Sequence, residues 1–491
     1  MIAMQVIFYV IAFVSAFGLA LFLTLLLGGG VAFNTRHGRY VIPAIILCLV
    51  AASGFATLLS GRDINLIGLY LDSENGGVGG FFSSMLQRSF SVMALTLSGA
   101  VIMTHLLNPA KTQLMEAVPL LQAYLFYFFT NAVMNALFGA HPTFIYNNYY
   151  SFPIILALFI GFRQDPELLE RSVKTLLLAY LIFSLAAAAA LPKVALQTGY
   201  PGWIPGFSVR LYGLAPHPNV LAPVSLVVLL LEWSRPYRNR FMHRLTLVVA
   251  LAVFVLTQSK TTWAAAMVAL VVIAIVQSTK LFSDAMSGKK EGTLVVRIGL
   301  GLLLLSLFVG GLAAIFLLHP DAIWNRFMQT TAGSSVENIS GRMPIWQQAI
   351  TEWLRNPVFG FGPTIWELEY RIKVGLLTAF HAHNQYLQSL SSAGLVGLIG
   401  LLVYLWVLGR ASFHTAITTK GITLAMFAVL LLRTMTETPL PTQSIISPDF
   451  LVHIALLAAI LNGLCAKQIA PATTAISLRN TASATLQPAT R

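Results

Sequence analysis

The sequence predicts an all-α polytopic membrane protein with about 12–14 transmembrane helices, and three observations carry that reading. Of its 491 residues, 57% are hydrophobic and only 10% charged, with a mean hydropathy of +0.77. A soluble domain is roughly a quarter charged. Apolar runs recur at the length of about 20 residues needed to cross roughly 30 Å of hydrocarbon. Lysine and arginine, finally, gather in one set of the connections between those runs, the charge asymmetry that orients membrane spans.

Taken in order, the runs place spans at 4–31, 41–60, 89–107, 114–138, 144–162, 175–191, 219–233, 244–258, 262–277, 298–318, 384–408, 421–437 and 450–465. The first run, Met1 to Gly28, is too long for a signal-peptide core and lacks a basic start and a small-residue cleavage site. The Gly-rich segment 61–88 is the least sharply bounded connection. Cys48 and Cys465 both fall inside apolar runs, so no disulfide framework is implied.

Orientation follows from the basic residues. Arg36, Arg39, Lys111, Arg163, Arg171, Lys174, Arg235, Arg238, Arg240, Arg244, Lys280, Lys289, Lys290, Arg297, Arg410 and Lys420 share one side with the C-terminal tail. That side is inside, and the net charge of +13 is mostly a topology signal. No single basic module exists that would serve a nucleic acid. The long loop 319–383, segment 192–218 and the turn 259–261 then face outward, and an odd number of spans puts Met1 outside as well. The chain divides into an N-terminal transmembrane bundle (1–318), a large outer loop (319–383), C-terminal transmembrane helices (384–465) and a tail (466–491). The tail's Ala, Thr and Ser predict disorder.

The outer loop has internal order. Pro344 suits a helix first turn, and Ile345, Trp346, Ala349, Ile350, Trp353 and Leu354 repeat at helical spacing. Two tryptophans on one apolar face predict a helix lying on the membrane surface. Asn356-Pro357 ends it, and Gly360-Phe361-Gly362-Pro363 turns the chain back.

Candidate chemistry sits at the outer edge. His383, at the start of the span from Gln385, meets water on one side and lipid on the other. Exposed N–H groups at a helix start disfavour added positive charge, and a neutral imidazole is what a general base needs. The plainer reading is that His383 and Asn384 cap the helix. Gly394 and Gly397 read as sites of close helix packing. His381 shares the loop end, but an i, i+2 histidine pair there is a poor metal site, and no metal is assigned. Arg210, in Arg210-Leu-Tyr-Gly213 ahead of His217-Pro218-Asn219, offers a planar fork matched to phosphate oxygens. An ordinary interfacial arginine would look the same. Lys260, in the tight turn Ser259-Lys260-Thr261, is either a phosphate-binding point charge or a snorkelling lysine. Arg342 belongs to the same edge, while the pair Arg433/Glu437, spaced i, i+4 in the twelfth span, reads equally as a structural ion pair and as a part of the site. Three cations and a histidine with no acidic counterpart among them have the electrostatics of a diphosphate site.

A transporter is the rival from another class. Coupled transporters carry carboxylates or histidines near the bilayer midplane. Here the 17 acids fall almost entirely in loops or at span ends, Glu116, Glu232, Glu437 and Asp449 coming closest to apolar cores. No Walker-type phosphate loop, Gly-x-Ser-x-Gly or His-Glu-x-x-His occurs, which removes support for ATP-driven, serine-hydrolase and zincin chemistry.

Gly341-Arg342…Trp346, then Asn356-Pro357-x-x-Gly360-x-Gly362, then His383-Asn384-Gln385-Tyr386-Leu387…Gly394-Leu-Val-Gly397 resembles the O-antigen ligase/O-antigen polymerase superfamily. The strong part covers about 340–400, and the elements around Arg210 and Thr257–Thr261 extend it across roughly 200–400. The resemblance implies a glycosyltransferase of GT-C type in the bacterial inner membrane, with its site facing the periplasm. It would pass a glycan from undecaprenyl pyrophosphate to an acceptor hydroxyl, on another glycan or on lipid A-core, with no nucleotide sugar, cofactor or metal. By position, His383 would deprotonate the acceptor and Arg210 would hold the pyrophosphate. Lys260 stands where ligases often carry arginine, which keeps the charge and drops the bidentate geometry. Arg342, Asn384 and His381 fall to substrate binding. Gly360–Trp366, His381–Asn384 and the Ser-Lys-Thr turn look closer to exopolysaccharide repeat-unit polymerases than to ligases. The third type of relative, the protein O-oligosaccharyltransferase, takes a pilin-like acceptor.

Overall fold

The computed structural model describes residues 26, 38–65, 78–107, 115–162, 165–200, 202, 204, 207–286, 342–440, 442 and 444–484. In chain order the main helices are α1 (Val41–Leu58), α2 (Val78–Leu107), α3 (Val118–Phe128), α4 (Met134–Phe138), α5 (Ser151–Gly161), α6 (Pro166–Ala190), α7 (Pro218–Ser234), α8 (Arg240–Leu256), α9 (Lys260–Met286), α10 (Met343–Arg355), α11 (Leu368–Val374), α12 (Gln385–His414), α13 (Ile422–Thr434) and α14 (Pro448–Ala484). The strands among the described residues are one short antiparallel pair, β1 (Leu196–Gln197) with β2 (Arg210–Leu211). Six of the helices are long and apolar enough to cross a membrane: α1, α2, α6, α9, α12 and α14. The protein is an all-α polytopic membrane protein.

Helix starts follow local chemistry. Asp165 accepts from the Leu168 N–H with Pro166 in the first turn of α6, and Asn239 accepts from Phe241 and Met242 at α8. A polar cap of this kind is worth about 1 kcal/mol. Packing then places α7 centrally, against α6, α8, α9, α13 and α14, while α12 lies against α3, α10 and α13. Lipid tails are as apolar as the helices, so close fit rather than water exclusion holds such spans together. At Gly400 in α12 a methyl group would run into Thr130, which is how closely that helix approaches the chain joining α3 to α4. α14 is the most enclosed of the six long apolar helices and α9 the most open. The segment around α10 and α11 has a core of its own in Ile345, Ala349, Phe361, Ile365, Trp366 and Tyr370.

Several boundaries differ from expectation. α2 begins at Val78, within the Gly-rich segment and ahead of the span expected at 89–107, and Ser83 in its early turns donates to the Ala56 carbonyl of α1. α6 begins nine residues before its apolar run, its first turns carrying the charged Glu167, Glu170, Arg171 and Lys174 outside the hydrophobic stretch. The span expected at 114–138 is interrupted by a π-helical turn at Phe129–Val133, and the one at 144–162 becomes α-helix only from Ser151, after a 3-10 turn at Tyr146–Tyr149. α14 continues through Ala484, so the tail read as disordered from Ala466 is helical to that point. The expected spans 4–31 and 298–318 lie outside the described residues, apart from Leu26.

Candidate active site

Four helices begin at one place, and a fifth ends there. The starts of α7, α9, α10 and α12 and the end of α13 bring Asn219, Lys260, Arg342, His383 and Glu437 together from five segments. Helix N-termini carry the positive ends of their dipoles, so this convergence favours an anion before any side chain is counted.

His383 is held in an unusual backbone conformation, with φ of +47°. A non-glycine residue in the left-handed region costs of order 1–3 kcal/mol and persists only where its surroundings dictate it. They do so here. The His383 N–H donates to His381 Nδ1 at 3.1 Å, Trp346 Nε1 donates to the Ala382 carbonyl at 2.9 Å, and the Ala382 N–H donates to Gln388 at 2.9 Å. The helical spacing read into 344–354 therefore builds α10, whose Trp346 holds the loop that carries the histidine. Asn384 caps α12, accepting from the Tyr386 and Leu387 N–H groups, and its amide donates to the Met435 carbonyl. Both ends of Asn384 are thus engaged within the protein, in the capping arrangement.

The acidic counterpart missing from the sequence reading is Glu437. Its Oε2 lies 3.0 Å from His383 Nδ1, while Oε1 accepts from Asn219 Nδ2 at 3.0 Å and from Arg342 at 3.4 Å. A carboxylate facing Nδ1 requires the proton on that nitrogen, which leaves Nε2 as the proton acceptor. With both oxygens engaged, the carboxylate is fixed in orientation. Burial alone would raise its pKa, but the His383 hydrogen bond and the positive charge around it, that of Arg342 included, win and hold it below the usual carboxylate range. The neighbouring His381, its ring centroid 4.0 Å from that of His383, is driven down to about 3 by burial and then by the His383 charge, and so stays neutral. The Arg433/Glu437 pair expected at i, i+4 does not form. Arg433 turns inward to Asp449 at 2.6 Å and to the Asn219 carbonyl at 3.1 Å, tying the starts of α14 and α7 to the end of α13.

Arg210 lies on β2 and is buried. Its Nε donates to the Thr257 carbonyl at 2.9 Å, one terminal nitrogen donates to Asn219 Oδ1 at 3.0 Å, and its guanidinium lies 4.6 Å from the Tyr200 ring centre. The turn between α8 and α9 is as tight as its sequence predicts. Gln258 adopts φ of +46° and Ser259 Oγ donates to Asn219 Oδ1 at 3.1 Å, immediately before Lys260. Asn219 is therefore the hub: its carbonyl oxygen takes Arg210 and Ser259, and its amide reaches Glu437. The sequence contained one faint sign of this, an asparagine directly after the Pro218 that opens α7.

His381, His383 and Glu437 place their donor atoms within 4.8 Å of one another, the spacing of a metal site. The donor set does not fit that use well. His383 Nδ1 is hydrogen-bonded to one Glu437 oxygen, and His381 Nδ1 accepts a backbone N–H. A cation, Arg342, donates to the same carboxylate.

Gly394 is not a packing glycine. It sits inside α12 with φ of +64° and ψ of −158°, a break in the helix, and a methyl group there would strike the Val358 carbonyl. The turn after α10 takes up the backbone groups that the break frees: Phe361 and Gly362 donate to Ser391 and Ser392, and Leu395 and Val396 donate to Pro357 and Val358. Gly397 does fit the packing reading, with its carbonyl accepting from Asn131 at 2.8 Å.

Residues 245–402 match the family model for O-antigen ligase. That segment, about a third of the chain, is similar to the O-antigen ligase domain. It contains Lys260, Arg342, His381, His383 and Asn384, while Arg210, Asn219 and Glu437 reach the same place from outside the matched segment. No curated protein matches the chain. An O-antigen ligase domain among membrane-crossing helices supports a multi-pass protein of the bacterial inner membrane with ligase- or polymerase-type function in polysaccharide assembly, working on glycan and lipid-linked substrates.

Proposed function

We propose that the protein is a polyprenyl-diphosphate-dependent glycosyltransferase that moves a glycan from undecaprenyl pyrophosphate to an acceptor hydroxyl at the outer, periplasmic face. The observation that carries the reading is the His383–Glu437 pair set among Arg342, Arg210 and Lys260. An inverting displacement needs a base on the incoming hydroxyl and positive charge on the departing diphosphate. His383 Nε2 takes the acceptor proton as its oxygen attacks the anomeric carbon. Glu437 holds the ring and steadies the imidazolium that forms, as the carboxylate does in hydrolase triads. The bond to the pyrophosphate oxygen breaks, and Arg210, Arg342 and Lys260, which outnumber the single carboxylate, stabilise the released charge. Neither a metal nor another cofactor is needed for these steps.

Within that class we favour repeat-unit polymerisation, in which the acceptor is another lipid-linked glycan, on the local sequence around Gly360–Trp366 and Ser259–Thr261. Transfer to lipid A-core is the alternative. Purified protein given undecaprenyl-pyrophosphate-linked repeat units alone, with products resolved by size, separates the two. Polymerisation predicts a ladder of repeats. Absence of a ladder, followed by product once lipid A-core is added, would establish a ligase.

A further inference from the structure

A cavity of about 300 Å³ opens at the opposite end of α7 from the candidate site. It lies between the first turns of α6 and the 235–238 turn joining α7 to α8. α7 has 17 residues, so the two places are about 25 Å apart, close to the thickness of the hydrocarbon layer. This is the membrane face on which the basic connections gather.

Most of the charge around the cavity is already balanced. Lys174 pairs with Glu232 at 2.6 Å, donates to the Arg235 carbonyl and sits 3.8 Å from the Tyr237 ring centre. Arg235 is shared between Glu167 at 3.0 Å and Glu170 at 3.6 Å. Arg171 and Arg238 remain. Both line the cavity, both are exposed, and neither guanidinium has a hydrogen bond or ion pair among the described residues. Two uncancelled guanidiniums at the mouth of a cavity call for an anion with oxygens on more than one side, and a phosphate has that shape. The surroundings point to lipid as its carrier. Trp233 and Phe241 flank the turn with 59% and 69% of their surface exposed, as aromatic residues at a membrane interface do. Beyond Phe241, α8 leaves Val248 and Leu251 uncovered, an apolar track leading away from the cavity.

We propose that this cavity binds the phosphate of an anionic phospholipid between Arg171 and Arg238, with the acyl chains along α8. Basic pockets between spans are a recognised setting for such headgroups. The assignment is independent of the glycan-transfer reading. The test uses the purified full chain in neutral detergent, titrated with short-chain phosphatidylglycerol, with phosphatidylcholine of the same chain length and with inorganic phosphate. Phosphatidylglycerol binds, and the double variant Arg171→Ala/Arg238→Ala weakens it by about thirtyfold, the effect of two interfacial cations. Arg171→Lys/Arg238→Lys keeps most of the binding. Equal binding of phosphatidylcholine, or no loss in the alanine variant, would overturn the site. Inorganic phosphate binding as tightly as the lipid would overturn the lipid assignment and leave a soluble-anion site. Native mass spectrometry of the parent protein provides a check that needs no variant. Retained lipid should be enriched in anionic species over the bulk membrane, and retention in bulk proportion contradicts the proposal.

Discussion

On the proposed mechanism His383 acts through what Glu437 does to it, and the two should behave as one unit in kinetics. Replacing Glu437 by Gln removes the charge that steadies an imidazolium while keeping the side chain's size. We expect turnover to fall by at least tenfold, and the double variant His383→Ala/Glu437→Gln to be no slower than His383→Ala alone. Steady-state rates of the three variants decide this, and independent, multiplicative losses would separate the residues. His383, Arg210, Lys260 and Arg342 were legible in the sequence because each lies in a short local pattern: a loop end, a tight turn or a Gly-Arg step. Glu437 and Asn219 were not. Glu437 is 54 residues beyond His383 and was read with Arg433, its neighbour one helical turn away. Only the fold reveals that Arg433 prefers the buried Asp449, which leaves the glutamate for the histidine.

At the scale of the element, the broken helix α12 and the turn following α10 form one device. The break at Gly394 exposes backbone groups, and the turn at 357–362 satisfies them, which sets the outer region on the start of the span that bears His383. Gly394→Ala combines a disfavoured backbone angle with a clash against the Val358 carbonyl, so it should cut folded yield and abolish transfer. Size-exclusion profiles and thermal melting in detergent test this, and a variant as stable as the parent would remove the break from the account. The glycines themselves were visible in the sequence, but their role was not. Spacing of three residues suits a packing stripe and a helix break equally, and the distinction lies in φ. Helix starts were easier to place where Pro and a polar cap stand at the head of the apolar run, as at α7, and harder where charged turns extend a helix beyond that run, as at α6.

For the whole molecule, the site ties acid sensitivity to folding. His381 is held near 3 in the folded protein and returns to about 6.5 when unfolded, so between those values the unfolded chain binds the proton more readily. Its share of the stability is complete above about pH 6.5 and is lost progressively as pH falls toward 3. Glu437, lowered in the folded state, adds to the loss only below its unfolded value of about 4.3. The thermal midpoint in detergent should therefore drop between pH 7 and pH 5, and His381→Asn should flatten that slope. An identical slope in the variant would show that the sensitivity arises elsewhere. The class of fold was plain from hydropathy, since about 20 apolar residues have one economical use in a chain of this composition. Exact spans were less plain, because short helices such as α13, with 13 residues, depend on neighbours rather than on their own length.

The central claim is that His383 removes the acceptor proton at a site otherwise intact without it. The most direct measurement is the initial rate of glycan transfer from undecaprenyl pyrophosphate by His383→Ala and by the parent, at saturating donor, on preparations matched in melting temperature and in donor binding. The account predicts a loss of about 10²–10⁴-fold in rate with donor binding retained. A variant that binds donor normally and transfers at near-parental rate would contradict it.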